Sequence, residues 1–375
     1  MLGSSDFDRC IYESISEYLS EHTSEIDVIM ELDYFGSELP SACKGIITRI
    51  LDVKEISLFR SYGIPVINIS GQLESPGFPS VISDSLMAGC IAAEHLLSRR
   101  FHHFAYYGQK SVHYSDALSR SFKQAIAEAG FHCAFYFDSW VPSINVVTDT
   151  HRLNLRQWIA SLSKPIGILC TGDYYAWELS KACEALNLIV GRDVGVLGVG
   201  NWAFFCRSRK PQLSSLNNRP DLIGYESAAL MMRLLHGEPP PSSPILIPPT
   251  IIARASSDIF VTADSYVAAA IQFIQDHIGQ PLPPQEVFNH IPLSRSALER
   301  RFRKQLNYTV LATIHLLKVD HIKHLLVSTS CSIEQISNAC GFSSAPYMTT
   351  LFREKVGTTP SEYRHQFQRS VISKS

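Results

Sequence analysis

The stretch that most constrains this 375-residue chain is 332–364, SIEQISNACGFSSAPYMTTLFREKVGTTPSEYR. Behind a Ser332 cap, Ile333, Ile336, Ala339 and Cys340 are apolar at helical spacing and Gly341 stops the helix. Tyr347, Met348, Leu351 and Phe352 mark a second periodic run. Two helices joined this way read as a helix-turn-helix, whose second helix enters the DNA major groove while the first crosses the backbone. An αα-hairpin inside another kind of helical domain has the same periodicity, so the spelling must decide.

The pattern carried by Ile333, Ile336, Gly341, Phe342, Tyr347, Phe352, Gly357, Pro360, Tyr363 and Arg364 resembles the signature of the AraC/XylS transcription regulators. The resemblance implies an all-α domain with two helix-turn-helix units. Seven helices are expected, over 264–278, 284–289, 294–306, 309–327, 332–340, 344–356 and 360–368, with the two units at 284–306 and 332–356. A helix over 309–327 spans about 28 Å at about 1.5 Å per residue, enough to hold two recognition helices about one DNA turn apart.

In the first unit Ser294 caps RSALERRFRKQL, and Leu298 and Phe302 face the core, leaving Arg295, Ser296, Glu299, Arg300 and Arg303 outward. By the resemblance Ser296, Glu299 and Arg300 meet base edges, where Arg pairs with guanine and Glu accepts from cytosine. Arg295, Arg303 and Lys304 suit phosphate. In the second unit Ser344, Thr349 and Thr350 are the expected contacts, to phosphate or thymine methyls, with weaker base discrimination than the Arg common in the family. Lys318 stands where Arg is usual and Ile322 where Ala is usual.

Upstream, apolar runs of strand length (Val28–Leu32, Gly45–Ile47, Pro65–Ile69, Phe104–Tyr107, Cys133–Phe137, Ile166–Cys170, Val194–Val199, Ile245–Ile252) alternate with helical patterns such as Leu86–Leu97, Ser119–Ala129, Tyr174–Leu186 and Leu222–Leu235. Alternation of this kind implies parallel sheets covered by helices, with ligands beyond the carboxyl ends of the strands. SDSLMAGCIAAEHLL (83–97), CTGDYYAWELSKACEALNLIVGRDVGVLGVGN (170–201) and LSSLNNRPDLIGYESAALMMRLLHGE (213–238) are similar to the sensor core of LacI-type regulators. That core is an α/β, two-lobe periplasmic-binding-protein fold. The fused arrangement as a whole resembles the family of xylose-operon regulators.

The expected organisation is a ligand-sensing domain at 1–256, with lobe 1 from about 1–107 and 218–238 and lobe 2 from about 108–217 and 243–256. A linker at 257–263, a DNA-binding domain at 264–368 and a tail at 369–375 follow. Carried over from the family, Asp6, Arg9, Arg120 and Asp173 are candidate sugar contacts; Phe7, Asn201 and Trp202 are added because a sugar needs amide partners and an aromatic face. Two departures stand out. Gly200 replaces the Asp usual in LacI-type sugar sensors. Only Met1 and Leu2 precede GSSDFDRC, where the family has a central strand, so a start codon misassigned upstream is expected.

Composition fits this division. From Asp264 onward 12 Lys/Arg oppose 8 Asp/Glu, a net of +4, whereas residues 1–263 carry 21 against 27, a net of −6. A basic tail domain on an acidic body suits a polyanion partner for the tail. The nine cysteines are scattered and lack a C-x-x-C pair, which argues for reduced thiols rather than disulfides or zinc. His95, His102, His103 and His113 lack metal-ligand spacing, and GVLGVG (195–200) lacks the dinucleotide-binding order. Neither a Walker A motif nor a G-x-S-x-G elbow occurs, so no cofactor, metal or catalytic residue is expected and an enzyme is disfavoured.

With no membrane-length apolar run or signal peptide, the chain is expected to be cytoplasmic. The function expected from the resemblance is a sugar-controlled, sequence-specific DNA-binding regulator of xylose-like catabolism. The expected partners are double-stranded DNA, a sugar effector, a second copy of the chain and RNA polymerase, with activation favoured over repression. A sugar-binding module, or a sugar-metabolism enzyme without DNA function, is the competing class.

Overall fold

The computed structural model of the protein describes residues 6–23, 26, 28–29, 39–138, 149–258, 262, 264–329 and 331–367. The chain divides into two compact units, Met1–Ile259 and Phe260–Ser375.

The first unit runs α1 (Asp6–His22), β1 (Ile46–Thr48), α2 (Val53–Ser61), β2 (Val66–Asn68), β3 (Val81–Ser83), α3 (Ser85–Ser98), β4 (His103–Gln109), α4 (His113–Glu128) and β5 (Cys133–Asp138). It continues with α5 (Asp149–Ser161), β6 (Ile166–Cys170), α6 (Asp173–Ala185), β7 (Val194–Val199), α7 (Ala203–Arg207), β8 (Ser214–Asn217), α8 (Pro220–Leu235), β9 (Ile245–Ile247) and β10 (Thr250–Ile252). A six-stranded sheet has the order β10-β8-β7-β6-β4-β5 and is parallel apart from the β10–β8 edge. Its central strand β6, IGILC, is buried throughout, as expected where helices cover both faces of a parallel sheet. The remaining strands pair as β1 with β2 and β3 with β9, both parallel. Here α1 and α8 pack together, burying Ile11, Ile15, Leu19, Leu222, Ile223 and Leu230 in a second core.

Three expectations change. The run Ile245–Ile252 is two strands, because Pro248 and Pro249 interrupt it; a ladder cannot run through two residues without N–H groups. Its halves serve different sheets, Val81 pairing with Ile245 and Asn217 with Thr250. β4 lies in the six-stranded sheet, and α3 packs on α4. β3 and β8 were not among the expected strands. Of the strand expected over 28–32, residues 30–32 lie outside the described residues, and Val28 and Ile29 are in no strand. The segment 1–5, where the truncation question falls, is also outside them.

The second unit consists of α9 (Ser265–Asp276), α10 (Pro284–His290), α11 (Arg295–Leu306), α12 (Val310–Ser328), α13 (Ile333–Ala339), α14 (Ala345–Val356) and α15 (Pro360–Phe367), each within two residues of its expected bounds. The caps explain that accuracy. Side-chain oxygens of Asp264, Ser294, Thr309, Ser332 and Ser344 each accept from a backbone N–H in the following first turn. Ser332 and Gln335 complete a capping box. Val287, Leu298, Phe302 and Val310 belong to one core of this unit, and Ile322, Ile336, Met348 and Phe352 to another. The turn after α13 requires glycine: Gly341 has φ +63°, and a Cβ there would collide with the Gln280–Pro281 backbone.

Candidate nucleic-acid interface and ligand site

In α11 the sequence alternates charge and core at helical spacing. Leu298 and Phe302 are fully buried, while Arg295, Ser296, Arg300, Arg303 and Lys304 are exposed and Glu299 is half-buried. Arg295, Ser296, Glu299, Arg300 and Arg303 together line one shallow surface groove. Neither Arg300, Arg303 nor Lys304 forms an ion pair among the described residues. Arg295 lies 5.2 Å over the Phe288 ring, which holds it at the helix start. Arg301 turns the other way, donating to Asp264 Oδ2 at 2.6 Å, and so ties α11 to the cap of α9. One oxygen of Glu299 is shielded from solvent and has no hydrogen-bond partner in the protein.

The α14 face is less cationic. Ser344 spends its hydroxyl oxygen on the Tyr347 N–H, Thr350 donates to Pro346 O at 3.1 Å, and Thr349 is half-buried. Tyr347, read from sequence as part of the apolar stripe, is 49 % exposed and meets Phe342 edge-on. It therefore joins Thr350 and Arg353 on the open side of the helix, a placement visible once Met348, Leu351 and Phe352 are taken as the true core triplet.

In the first unit, three of the ligand candidates converge. The β7 strand ends at Gly200, Asn201 and Trp202, beside the start of α6. Trp202 N donates to Asp173 Oδ2 at 2.6 Å, and Ser215 Oγ donates to Asp173 Oδ1 at 2.5 Å. Asn201 adopts φ +56°, donates its N–H to Ser215 Oγ at 2.9 Å, and accepts from Arg254 Nη2 at 2.7 Å. Trp202 stacks on Phe205 at 5.8 Å. Asp173 is 2 % exposed, and burial pushes its carboxyl up to about 6 despite these bonds. It fixes the loop carrying Asn201 and Trp202 and does not itself reach solvent.

This explains Gly200. Its φ is +119°, and a Cβ there would lie 3.3 Å from Asp173 Oδ2 and 3.2 Å from Trp202 Cδ1. An Asp at 200 would set a second carboxylate against the buried one.

The other candidates are dispersed. Asp6 and Arg9 pair with each other at 3.6 Å on the outer face of α1, where Arg9 is 71 % exposed, and Arg120 is exposed on α4. Phe7 is half-buried, 6.0 Å beneath the Arg49 guanidinium. The acidic residue that α1 turns inward is Asp8, fully buried and bonded to Arg49 Nη2 at 3.2 Å. Its signal is its place in the core period with Ile11, Ile15 and Leu19. Between the lobes, His113 N donates to Gln72 O at 3.2 Å, and Tyr114 donates to Gln109 Oε1 at 3.2 Å beside Gly71.

The described residues contain no cluster able to hold a metal ion and no helix long and apolar enough to cross a membrane.

Comparison with known proteins agrees with both units. A family model described as a periplasmic binding protein-like domain matches residues 93–257, and a helix-turn-helix domain matches 289–366. The xylose operon regulatory protein of Haemophilus influenzae is 29% identical over 369 residues, covering 96% of this chain and 95% of that protein. Its Escherichia coli K12 counterpart is 28% identical over 376 residues, with 96% and 94% covered. A solved structure described as a xylose-binding transcription activator superposes with a TM-score of 0.62 at 28% identity, covering 96% of this chain and 95% of that one. A LacI family regulator from Bifidobacterium animalis, at 16% identity and TM-score 0.55 over 70% of this chain and 97% of that one, shares the fold of the first unit. The chain is thus homologous to the xylose operon regulatory proteins, joining a periplasmic binding protein-like domain to a helix-turn-helix domain of the AraC type.

Proposed function

We propose that this chain is a sugar-responsive, DNA-binding transcription regulator that activates genes for catabolism of xylose or a closely related sugar. The observation that carries the reading is the α11 face, where Arg295, Ser296, Glu299, Arg300 and Arg303 share one open groove on a capped, well-packed helix. Ser296, Glu299 and Arg300 read base edges, Arg295, Arg303 and Lys304 hold phosphates, and Ser344, Thr349, Thr350 and Tyr347 make the second, less discriminating contact. The sensor domain ends near 258, with a first lobe of about 6–83 and 220–247 and a second of about 85–217 and 250–258.

Sugar sits between the lobes, beyond the carboxyl ends of the strands, where the Asn201–Trp202 loop offers an amide and an aromatic ring. Its binding favours a closed arrangement of the lobes, and in a homodimer this shifts the population able to occupy the promoter and engage RNA polymerase in the cytoplasm. The test is titration of the full chain against labelled DNA from its own upstream region, with and without D-xylose, at two salt concentrations. Salt-dependent specific binding modulated by the sugar is expected; affinity indifferent to DNA sequence, or unchanged across a pentose panel, overturns the reading.

A further inference from the structure

The last described segment of the sensor unit, 253–258, is threaded into the six-stranded sheet by buried polar groups. Ser256 is fully buried; it accepts from Ser214 N at 2.8 Å, donates to Val196 O at 2.6 Å, and its carbonyl accepts from Val196 N at 2.8 Å. Ser257 meets His95 Nε2 at 2.8 Å, and Asp258 accepts from the buried Arg99 at 2.8 Å through Nε. Buried polar groups that are fully partnered rigidify a segment, and any one left unpartnered is costly. The chain thus leaves the second lobe with its exit held fast up to Asp258.

One member of this segment reaches further. Arg254 donates through Nη1 to Leu213 O at 2.7 Å and through Nη2 to Asn201 Oδ1 at 2.7 Å. Its backbone exchanges hydrogen bonds with the Ser214 hydroxyl, at 2.8 Å from Arg254 N and 2.7 Å to Arg254 O. Asn201, held in the left-handed region at φ +56°, is followed by Trp202, whose N–H is fixed by Asp173. A rigid, charge-assisted fork therefore joins the end of β7 to the exit of the domain, with no flexible step between them.

We infer that Arg254 is a positioning residue that couples the Asn201–Trp202 loop to the exit segment, so that a shift of this loop on sugar binding is delivered to the chain leading into the DNA-binding unit. The inference rests on the sugar reading for its biological meaning, and on the bond geometry alone for its physical content. A side chain acting only on fold stability would loosen the whole lobe; a coupling side chain loosens its two ends selectively.

Both aspects are testable on the full chain with Arg254→Met, which keeps the aliphatic stem, and Arg254→Lys, which keeps the charge without the fork. By hydrogen exchange without sugar, Arg254→Met is expected to speed exchange about 10-fold or more at the amides of 200–202 and 256–258, as loss of a charged hydrogen bond implies. Arg254→Lys should recover part of the protection, and α8 should be unaffected. Unchanged exchange at 200–202, or equal acceleration throughout the unit, overturns the inference.

With D-xylose as probe, the wild-type ratio of DNA Kd with and without sugar is expected within the about 5- to 150-fold range of allosteric coupling, and the Arg254→Met ratio near one with D-xylose affinity retained. A responsive wild type with an equally responsive Arg254→Met also overturns it. An unresponsive wild type would sink the xylose reading instead, and the exchange result would then decide the coupling by itself.

Discussion

Replacing Lys318 with Met should loosen the second half of the DNA-binding unit far more than the loss of one surface charge would. Lys318 lies on α12 and is 4 % exposed. Its Nζ donates to Gln280 O at 2.9 Å, Cys340 O at 2.7 Å and Gly341 O at 3.2 Å, and sits 4.9 Å over the Phe342 ring. The ammonium satisfies carbonyls at the end of α13, which have no partner within the helix, and ties them to the turn between α9 and α10. Met preserves length and apolar contact but donates nothing.

Each shielded carbonyl left without a donor costs about 1–3 kcal/mol. Relief of the cation's own desolvation, visible in the lowering of its pKa by burial, offsets part of that. A net loss of about 3 kcal/mol follows, or roughly 100-fold faster hydrogen exchange at the α13 and α14 amides that open with this half. Specific DNA affinity should fall with it, because α13 sets the start of α14. Lys318→Arg, which keeps a cationic donor on a long stem, should retain most of the protection. Exchange at α13 and α14 within twofold of wild type in Lys318→Met would show that the three bonds merely accompany a fold held by apolar packing.

The sensor unit gives two further tests. Asp173 has a folded pKa of about 6, above its ordinary value, so the native state keeps a proton that the unfolded chain releases. Its contribution is therefore full below about pH 4 and is lost as pH rises toward 6, by roughly 3 kcal/mol; Asp173→Asn should flatten this part of the wild-type stability curve in urea titrations, and an unaltered slope would refute the assignment. Gly200→Asp, which restores the residue usual at that place, should lower stability by about 1–3 kcal/mol through backbone strain alone and gain no sugar affinity in calorimetry. On the DNA side, Arg300→Ala should cost about 1–3 kcal/mol and relax preference at one base pair, whereas Arg303→Ala should weaken all sequences alike and reduce the salt slope by about 0.9. The reverse pattern in anisotropy titrations would exchange their roles.

How far the sequence could be read depended on whether local rules and burial agreed. In the DNA-binding unit they do: Ser294, Thr309, Ser332 and Ser344 announce helices whose apolar faces are also their buried faces, so the bounds follow from capping and period together. Tyr347 misled because an aromatic at an allowed spacing does not declare which side of the stripe it flanks. In the sensor unit the decisive groups are polar and buried, where hydropathy has no voice. β8 was not among the expected strands, for Ser214 and Ser215 carry no apolar signal; both are fully buried, and their hydroxyls accept from and donate to Arg254, Asn201 and Asp173.

Asp173, a ligand candidate by the resemblance, is a further buried polar group. A carboxylate after a strand end reads alike whether it faces a sugar or turns back to hold its own loop, and only the Trp202 and Ser215 bonds distinguish the two. On α1 the helical period places Asp8 rather than Asp6 and Arg9 on the inward face with Ile11 and Ile15. A resemblance carries over positions, but the direction a side chain takes is set by the period of the helix that bears it. On α11 the period and the resemblance select the same face; on α1 they part, the resemblance selecting Asp6 and Arg9 and the period burying Asp8 against Arg49.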